Sequence, residues 1–212
     1  MILLLFCIGC ATEFKTHYTM KVTTYYDRPT CVFGAVDTPN GRAIADEMLA
    51  WITPEYNTHV IWHDGRMFEY HALRYAQELA MREDISVLYL HTKGACNKPE
   101  RSALIRKMWR REFGGCKSYY FTKIGDDPRV MCPFTGPDRI HRYNGFVANA
   151  AAWKAIPLIQ PNENRMVFEH LWRYAPEVEM VGTIYNDITS GNLGKIHEYL
   201  RKNYSTWTYF TS

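Results

Sequence analysis

The residues best equipped for chemistry stand where apolar runs break off. Ile85-Ser-Val-Leu-Tyr-Leu ends in His91-Thr92-Lys93-Gly94, an imidazole, a hydroxyl and an ammonium in succession, closed by a glycine. His59-Val-Ile-Trp62 likewise ends in His63-Asp64-Gly65. A short, nearly continuous apolar run has the pattern of a strand buried on both faces. Ligands of open α/β sheets sit off the carboxyl ends of such strands. His91, Thr92 and Lys93 are therefore expected to project into a ligand crevice, with Asp64 at a neighbouring strand end. The rival reading of each segment is a turn whose polar groups satisfy nearby backbone, with Asp64 simply preceding Gly65. Asp126-Asp127, between Gly125 and Pro128, reads as a plain turn rather than a metal site. Cys7-Ile-Gly-Cys10 has redox or metal spacing, but no second pair exists to complete a zinc site. Cys7 also continues the apolar run from Ile2 to Phe6, which makes it one more strand position.

Most ready-made motifs are missing. The chain has no phosphate-cradling glycine pattern of the P-loop or dinucleotide kind, no HExxH and no GxSxG. Its 25 basic residues against 22 acidic ones leave a net charge of +3, too balanced to argue for a nucleic-acid partner. A local cluster for a small anion remains compatible with that balance. The apolar start, Met1 to Gly9, has no basic n-region, is too short to span a membrane, and is expected to be the first buried strand. Six scattered cysteines read as free, buried thiols of a cytoplasmic protein.

Stepping along the chain places these residues on elements. Cys31 to Val36 is expected to be a strand, Asp37 to Gly41 a loop of turn formers, and Ala43 to Ile52 a short helix ended by Thr53-Pro54. His59 to Trp62 is a strand and Arg66 to Arg82 a helix, with Phe68, Leu73, Ala76, Leu79 and Ala80 at helical spacing. His17 to Tyr26 is ambiguous between strand and helix. Pro99 starts a helix carrying Arg101, Arg106, Lys107, Arg110 and Arg111, which Gly114-Gly115 ends. Lys117 to Ile124 and Arg129 to Phe134 read as strands around the Gly125–Pro128 turn, and Thr135 to Arg139 as a loop. Tyr143 to Asn149 is a strand running into a helix from Ala150 to Ile156. Asn164 to Tyr174 is a helix, Val178 to Tyr185 a strand and Leu193 to Tyr204 a closing helix. Strands alternating with helices, with no repeat or linker, predict one α/β domain over residues 1–212, three layers around a mostly parallel sheet.

Phe68-Glu-Tyr-His-Ala-Leu73 and Val87-Leu-Tyr-Leu-His-Thr-Lys-Gly94 together resemble the "Glu-Tyr-x-x-Leu … Leu-Tyr-x-His-Thr-Lys-Gly" signature of a group of small glycosyltransferase-like proteins, similar to nucleotide-sugar transferases of the GT-A fold. Tyr143-Asn-Gly-Phe-Val-Ala-Asn-Ala-Ala-Ala-Trp153 resembles that fold's strand-to-helix unit at the sugar and acceptor site, and Arg165-Met-Val-Phe-Glu169-His170 its following acidic helix. The resemblance covers roughly residues 59–185. It implies a GT-A-like fold and transfer of a sugar from a nucleotide-diphosphate donor to a hydroxyl acceptor, a glycan or glycoconjugate.

One departure from the resemblance is informative. Related transferases end this strand in Asp-x-Asp, whose carboxylates hold a divalent metal on the donor diphosphate. Here His91-Thr92-Lys93 stands in that place. A charged lysine repels a cation, yet it can neutralise a leaving diphosphate directly. The expectation is a diphosphate site built from His91, Thr92, Lys93 and Gly94. Arg101 or Arg106 would assist, Asp64 would contact ribose or a metal, and manganese or magnesium would be dispensable. Glu169 is the candidate base for an acceptor hydroxyl, competing with a plain solvated role. Asn144-Gly145 is either a close-approach point for a ligand or a tight turn. Trp62 and Tyr143, near strand ends, are placed to stack on sugar or base, whereas Trp109, Trp153 and Trp172 read as core. Two alternatives stay open: a non-catalytic nucleotide-sugar or glycan-binding relative, and a small thiol redox protein using Cys7 and Cys10.

Overall fold

The apolar run at the chain start forms strand β1 (Ile2–Ile8). The computed structural model describes residues 2–8, 30–49, 58–64, 66, 69–91, 104–105, 107–108, 111–112, 120, 123–140, 145–162, 164, 166–185 and 193–204. Strand β2 (Thr30–Val36) pairs with one edge of β1 and β4 (Ser86–His91) with the other, both parallel to it. β3 (Thr58–His63) adds a further parallel strand outside β2. With β5 (Arg129–Phe134), β6 (Phe146–Ala148) and β7 (Glu179–Tyr185) they make a seven-stranded sheet in the order β3-β2-β1-β4-β6-β5-β7. β6 is antiparallel to both β4 and β5, while β5 and β7 pair in parallel. The antiparallel step has a simple cause: a loop suffices to return the chain from β5 to β6, whereas a parallel neighbour needs a crossover.

Alternation along β4 shows how the layers arise. Val87 and Tyr89 enter one apolar cluster, Leu88 and Leu90 the other, because successive side chains of a strand point to opposite faces. The first cluster is covered by helix α2 (Tyr70–Glu83), through Ala72, Leu73, Ala76, Leu79 and Ala80, and by α3 (Ala150–Ala155). The short helix α4 (Met166–Glu169) and the 3-10 turn Leu171–Tyr174 add Phe168 and Trp172. The opposite face is covered by α1 (Pro39–Leu49) and α5 (Leu193–Tyr204), the latter through Ile196, Leu200 and Tyr204. The chain is therefore a mixed α/β fold with helices on both faces of one mostly parallel sheet, as expected. No helix among the described residues is long and apolar enough to cross a membrane.

Trp153 and Trp172 are fully buried, with ring centroids 5.0 Å apart at 65°. An edge-to-face pair of this kind adds about 1 kcal/mol beyond its area burial. These two tryptophans are core, in agreement with their helical spacing; Trp109 lies outside the described residues. Buried Gln77 ties α2 to the chain leaving α3: its amide nitrogen donates to the carbonyls of Trp153 (3.3 Å) and Pro157 (3.1 Å), and its oxygen accepts from the Ile159 N–H (2.8 Å).

Several boundaries differ from expectation. Asp37 to Gly41 is not a free loop, because α1 already begins at Pro39. Thr38 supplies the cap, its Oγ1 accepting from the Gly41 N–H at 3.1 Å, and proline fits the first helical position. Of the strand expected over Lys117 to Ile124, Tyr120 and Lys123 are helical instead, and residues 117–119 and 121–122 lie outside the described residues. Its β-rich composition is overridden by packing, since Tyr120 and Ile124 are buried against the face that α5 covers. Arg66 lies in a turn, and α2 starts at Tyr70. The helix expected from Asn164 to Tyr174 is broken into α4 and the 3-10 turn at His170. Arg139 helps hold that break by donating to the carbonyls of Trp172 (3.1 Å), Ala175 (2.6 Å) and Val178. The ambiguous His17–Tyr26 stretch, the Pro99 helix start and Gly114-Gly115 lie outside the described residues.

A candidate crevice at the β1–β4 switch point

The sheet order contains a reversal. From β1 the chain builds outward to β2 and β3 on one side, then crosses to β4 on the other. In open α/β sheets the connections diverge at such a point, and ligands bind off the carboxyl ends of its strands. The last residue of β4 is His91, paired with Cys7 of β1. β6 runs antiparallel to β4, with Tyr89 opposite Phe146, so β6 begins on the same edge. Gly145, buried, immediately precedes it. Continuing the register by one residue sets Gly145 opposite Leu90, a strand's width from the end of β4.

Helix α4 is brought to this edge by its neighbours. Phe168 is buried in the same cluster as Tyr89 and Phe146, and it meets Tyr70 at the start of α2 with ring centroids 6.5 Å apart. Glu169 is the next residue and the last of α4. The fold thus gathers the ends of β1 and β4, the start of β6 and the end of α4 on one rim, drawing on segments far apart in the chain. Lys93, Thr92 and Gly94, the residues following His91, lie outside the described residues, as do Arg101, Arg106, Tyr143 and Asn144.

Asp64 belongs to a different part of the edge. His91 is level with Ile61 through Cys7 and Gly34. Asp64 therefore lies three strands across and three residues further on, about 14 Å and about 10 Å away at ordinary sheet spacings. It acts as a turn residue, its Oδ1 accepting from the Arg66 N–H at 2.9 Å, and its side chain is exposed. Trp62 of β3 is half-buried, and the Arg42 guanidinium lies 4.7 Å from its ring centroid. Arg42 also donates from Nε to Asp37 Oδ1 at 2.7 Å, and the Asp37 N–H donates to the His63 carbonyl at 2.7 Å. The ends of β2 and β3 thus carry a charged and aromatic group, Asp37–Arg42–Trp62, beside Asp64.

Neither a scan against models of known protein families nor a search of curated proteins returns a match. What the site can do therefore rests on its own residues.

Three of those residues escape a reading of the sequence. Asp37 and Arg42 sit in a stretch of turn formers; the Thr-Pro pair, a cap followed by a first-turn residue, was the signal for a helix starting there. His71, inside a helical pattern, gives no sign of its partner: its ring stacks on that of His63, centroids 5.9 Å apart and planes at 24°. Asn149, part of the Asn…Trp unit, spends its side chain on structure. It accepts from the Ala152 N–H (2.9 Å), capping α3, and donates to the carbonyls of Gly125 (2.9 Å) and Asp127 (2.6 Å). Asp126 and Asp127 are exposed residues of that turn. Among the described residues, no group of three or more His, Cys, Asp or Glu side chains gathers to hold a metal. Cys7 is an interior residue of β1, paired with Gly34 and His91; Cys10 lies outside the described residues. Cys132 is fully buried, and that burial pushes its thiol up to about 12, which makes it unreactive near neutral pH.

Proposed function

We propose that the chain is a GT-A-like glycosyltransferase domain that takes a nucleotide-diphosphate sugar in the β1–β4 crevice and transfers the sugar to a hydroxyl acceptor. The observation that supports this reading is the strand order, which sets the end of β4, at His91, beside the end of β1, a topological position at which open α/β sheets bind ligands. The segment His91-Thr92-Lys93-Gly94 supplies imidazole, hydroxyl and ammonium groups to the diphosphate, and Lys93 neutralises its charge as it leaves. Arg101 and Arg106 assist from the helix that follows. Asp64 and Trp62, some way along the edge, suit the nucleoside end of an extended donor. Asn144, Gly145 and Tyr143 lead into β6 and suit the sugar or acceptor. Glu169, at the end of α4 on the same rim, is the candidate base for the acceptor hydroxyl. Metal is dispensable in this reading, because a cation and Lys93 would compete for the same phosphate oxygens.

Calorimetric titration of nucleoside diphosphates and nucleotide sugars, with EDTA and with manganese, tests the proposal. Wild-type protein is expected to bind a donor in EDTA, and Lys93→Ala to weaken that binding by about tenfold or more, the scale of one lost charge-assisted contact. Donor binding that requires manganese and is unchanged in Lys93→Ala would sink the diphosphate assignment. Donor binding without transfer or hydrolysis would instead mark a binding module of the same fold.

A further inference from the structure

The end of β3 and the first turn of α2 bring two imidazoles together at the carboxyl edge of the sheet. His63 is only 9% exposed, and its ring stacks on that of His71. His71 meets Tyr70 edge-on, centroids 4.9 Å apart, and Tyr70 reaches Phe168 of α4. Four rings in sequence therefore connect the end of β3 to α2 and α4 along the carboxyl edge of the sheet.

A proton on His63 meets opposition from two sources. Burial disfavours a charged His63, and a second imidazole alongside disfavours it further. Two carboxylates act the other way: Asp64 on the same strand end and Glu69 at the cap of α2. Asp64 is also drawn toward Arg66, with 3.6 Å between Arg66 Nε and Asp64 Oδ2. From β2 and α1 come Asp37, whose carboxylate is held by Arg42, and Arg42 itself over Trp62.

We propose that the His63–His71 stack is an acid-operated latch on the first turn of α2. Neutral, it holds the first turn of α2 in place and, through Tyr70 and Phe168, seats α4 against the sheet. Protonated, the two rings repel, the first turn of α2 loosens and α4 loses the seat that Tyr70 gives Phe168. The latch is independent of which ligand the crevice takes.

Imidazole titration by NMR, with amide hydrogen exchange on the full chain from about pH 7.5 to pH 5, tests it. The Leu73 N–H, which donates to the Glu69 carbonyl at 3.0 Å, reports on the first turn of α2. Its protection, corrected for the intrinsic pH dependence of exchange, is expected to fall by roughly tenfold or more at the pH where His63 takes its proton. In His71→Asn the His63 midpoint should rise and that loss of protection should disappear. If His71→Asn does not fold, coincidence of the two wild-type midpoints decides. Leu73 protection that stays constant through the His63 titration, or a His63 midpoint unmoved in a folded His71→Asn, would overturn the latch.

Discussion

Gln77 and His63 are single residues whose contribution follows from what surrounds them. Gln77 is fully buried and serves three backbone carbonyls and one N–H from the chain around and beyond α3. Replacing it with leucine keeps the volume but strands those groups in a dry site, where each unpaired one costs about 1–3 kcal/mol. Gln77→Leu should therefore lose about 3 kcal/mol of unfolding free energy in urea titrations, and a loss under about 1 kcal/mol would mean water replaces the amide. His63 contributes through pH. Its pKa in the folded chain is held below the ordinary 6.5, first by burial and then by His71. The unfolded chain thus takes up a proton first as the pH falls. The stability tied to neutral His63 is fully present above pH 6.5 and is lost as the pH drops from there through the folded value. The urea midpoint should fall between about pH 7.5 and pH 5.5, and His63→Asn should flatten that fall. An identical slope in the variant would assign the acid sensitivity to other groups.

At the scale of elements, two junctions hold helices to the sheet, one at its carboxyl edge and one at the opposite edge. Helix α1 lies so close to the end of β2 that a Cβ on Gly41 would stand 2.0 Å from the Val36 carbonyl oxygen. No side-chain rotation relieves a clash with backbone. Gly41→Ala must shift α1, at a cost of about 2–3 kcal/mol. The same shift should disturb Arg42 over Trp62, and tryptophan fluorescence together with a thermal melt would reveal both effects. The second junction is Asn149, which caps α3 and binds the Gly125–Pro128 turn to the start of β6's helix. Asn149→Ala removes a cap and leaves the turn carbonyls without their donor, an expected loss of about 2 kcal/mol. Asn149→Asp should restore the cap but not the bonds to Gly125 and Asp127, because a carboxylate cannot donate. An aspartate variant as stable as wild type would show that capping alone matters.

At the scale of the whole molecule, the ends of β1 and β4, the start of β6 and α4 share one edge, so a ligand seated there should stabilise the sheet as one body. Ligand at a hundredfold excess over Kd adds about 2.7 kcal/mol. For a chain of this length that corresponds to a rise in Tm of roughly 6–10 °C. A nucleotide sugar that meets the binding criterion above should produce such a rise in differential scanning calorimetry. A bound donor that leaves Tm unchanged would have to bind the unfolded chain equally well, which a site assembled from remote strands does not allow.

Much of the architecture was legible along the chain because the physics that produces it is local. Val87 to Leu90 and Val130 to Phe134 are apolar enough to demand burial on both faces, so β4 and β5 could be read directly, as could α5 from its helical spacing. The same local rules misjudged Pro39, Tyr120 and His170, where a cap, a buried face and three carbonyls gripped by Arg139 overrode composition. The polar ends at His91 and Asp64 were visible too, but their separation was not. Strand order is set by pairing between segments remote in sequence, and only that order puts His91 beside the switch point and Asp64 three strands away. The sequence alone therefore determined a layered α/β chain with imidazole, hydroxyl and ammonium groups at the end of β4, because burial and periodicity act between near neighbours. The tertiary structure alone decided that Gly145 and the end of α4 share that rim and that His63 stacks on His71, because contacts across a sheet depend on register and crossover, which no local pattern encodes.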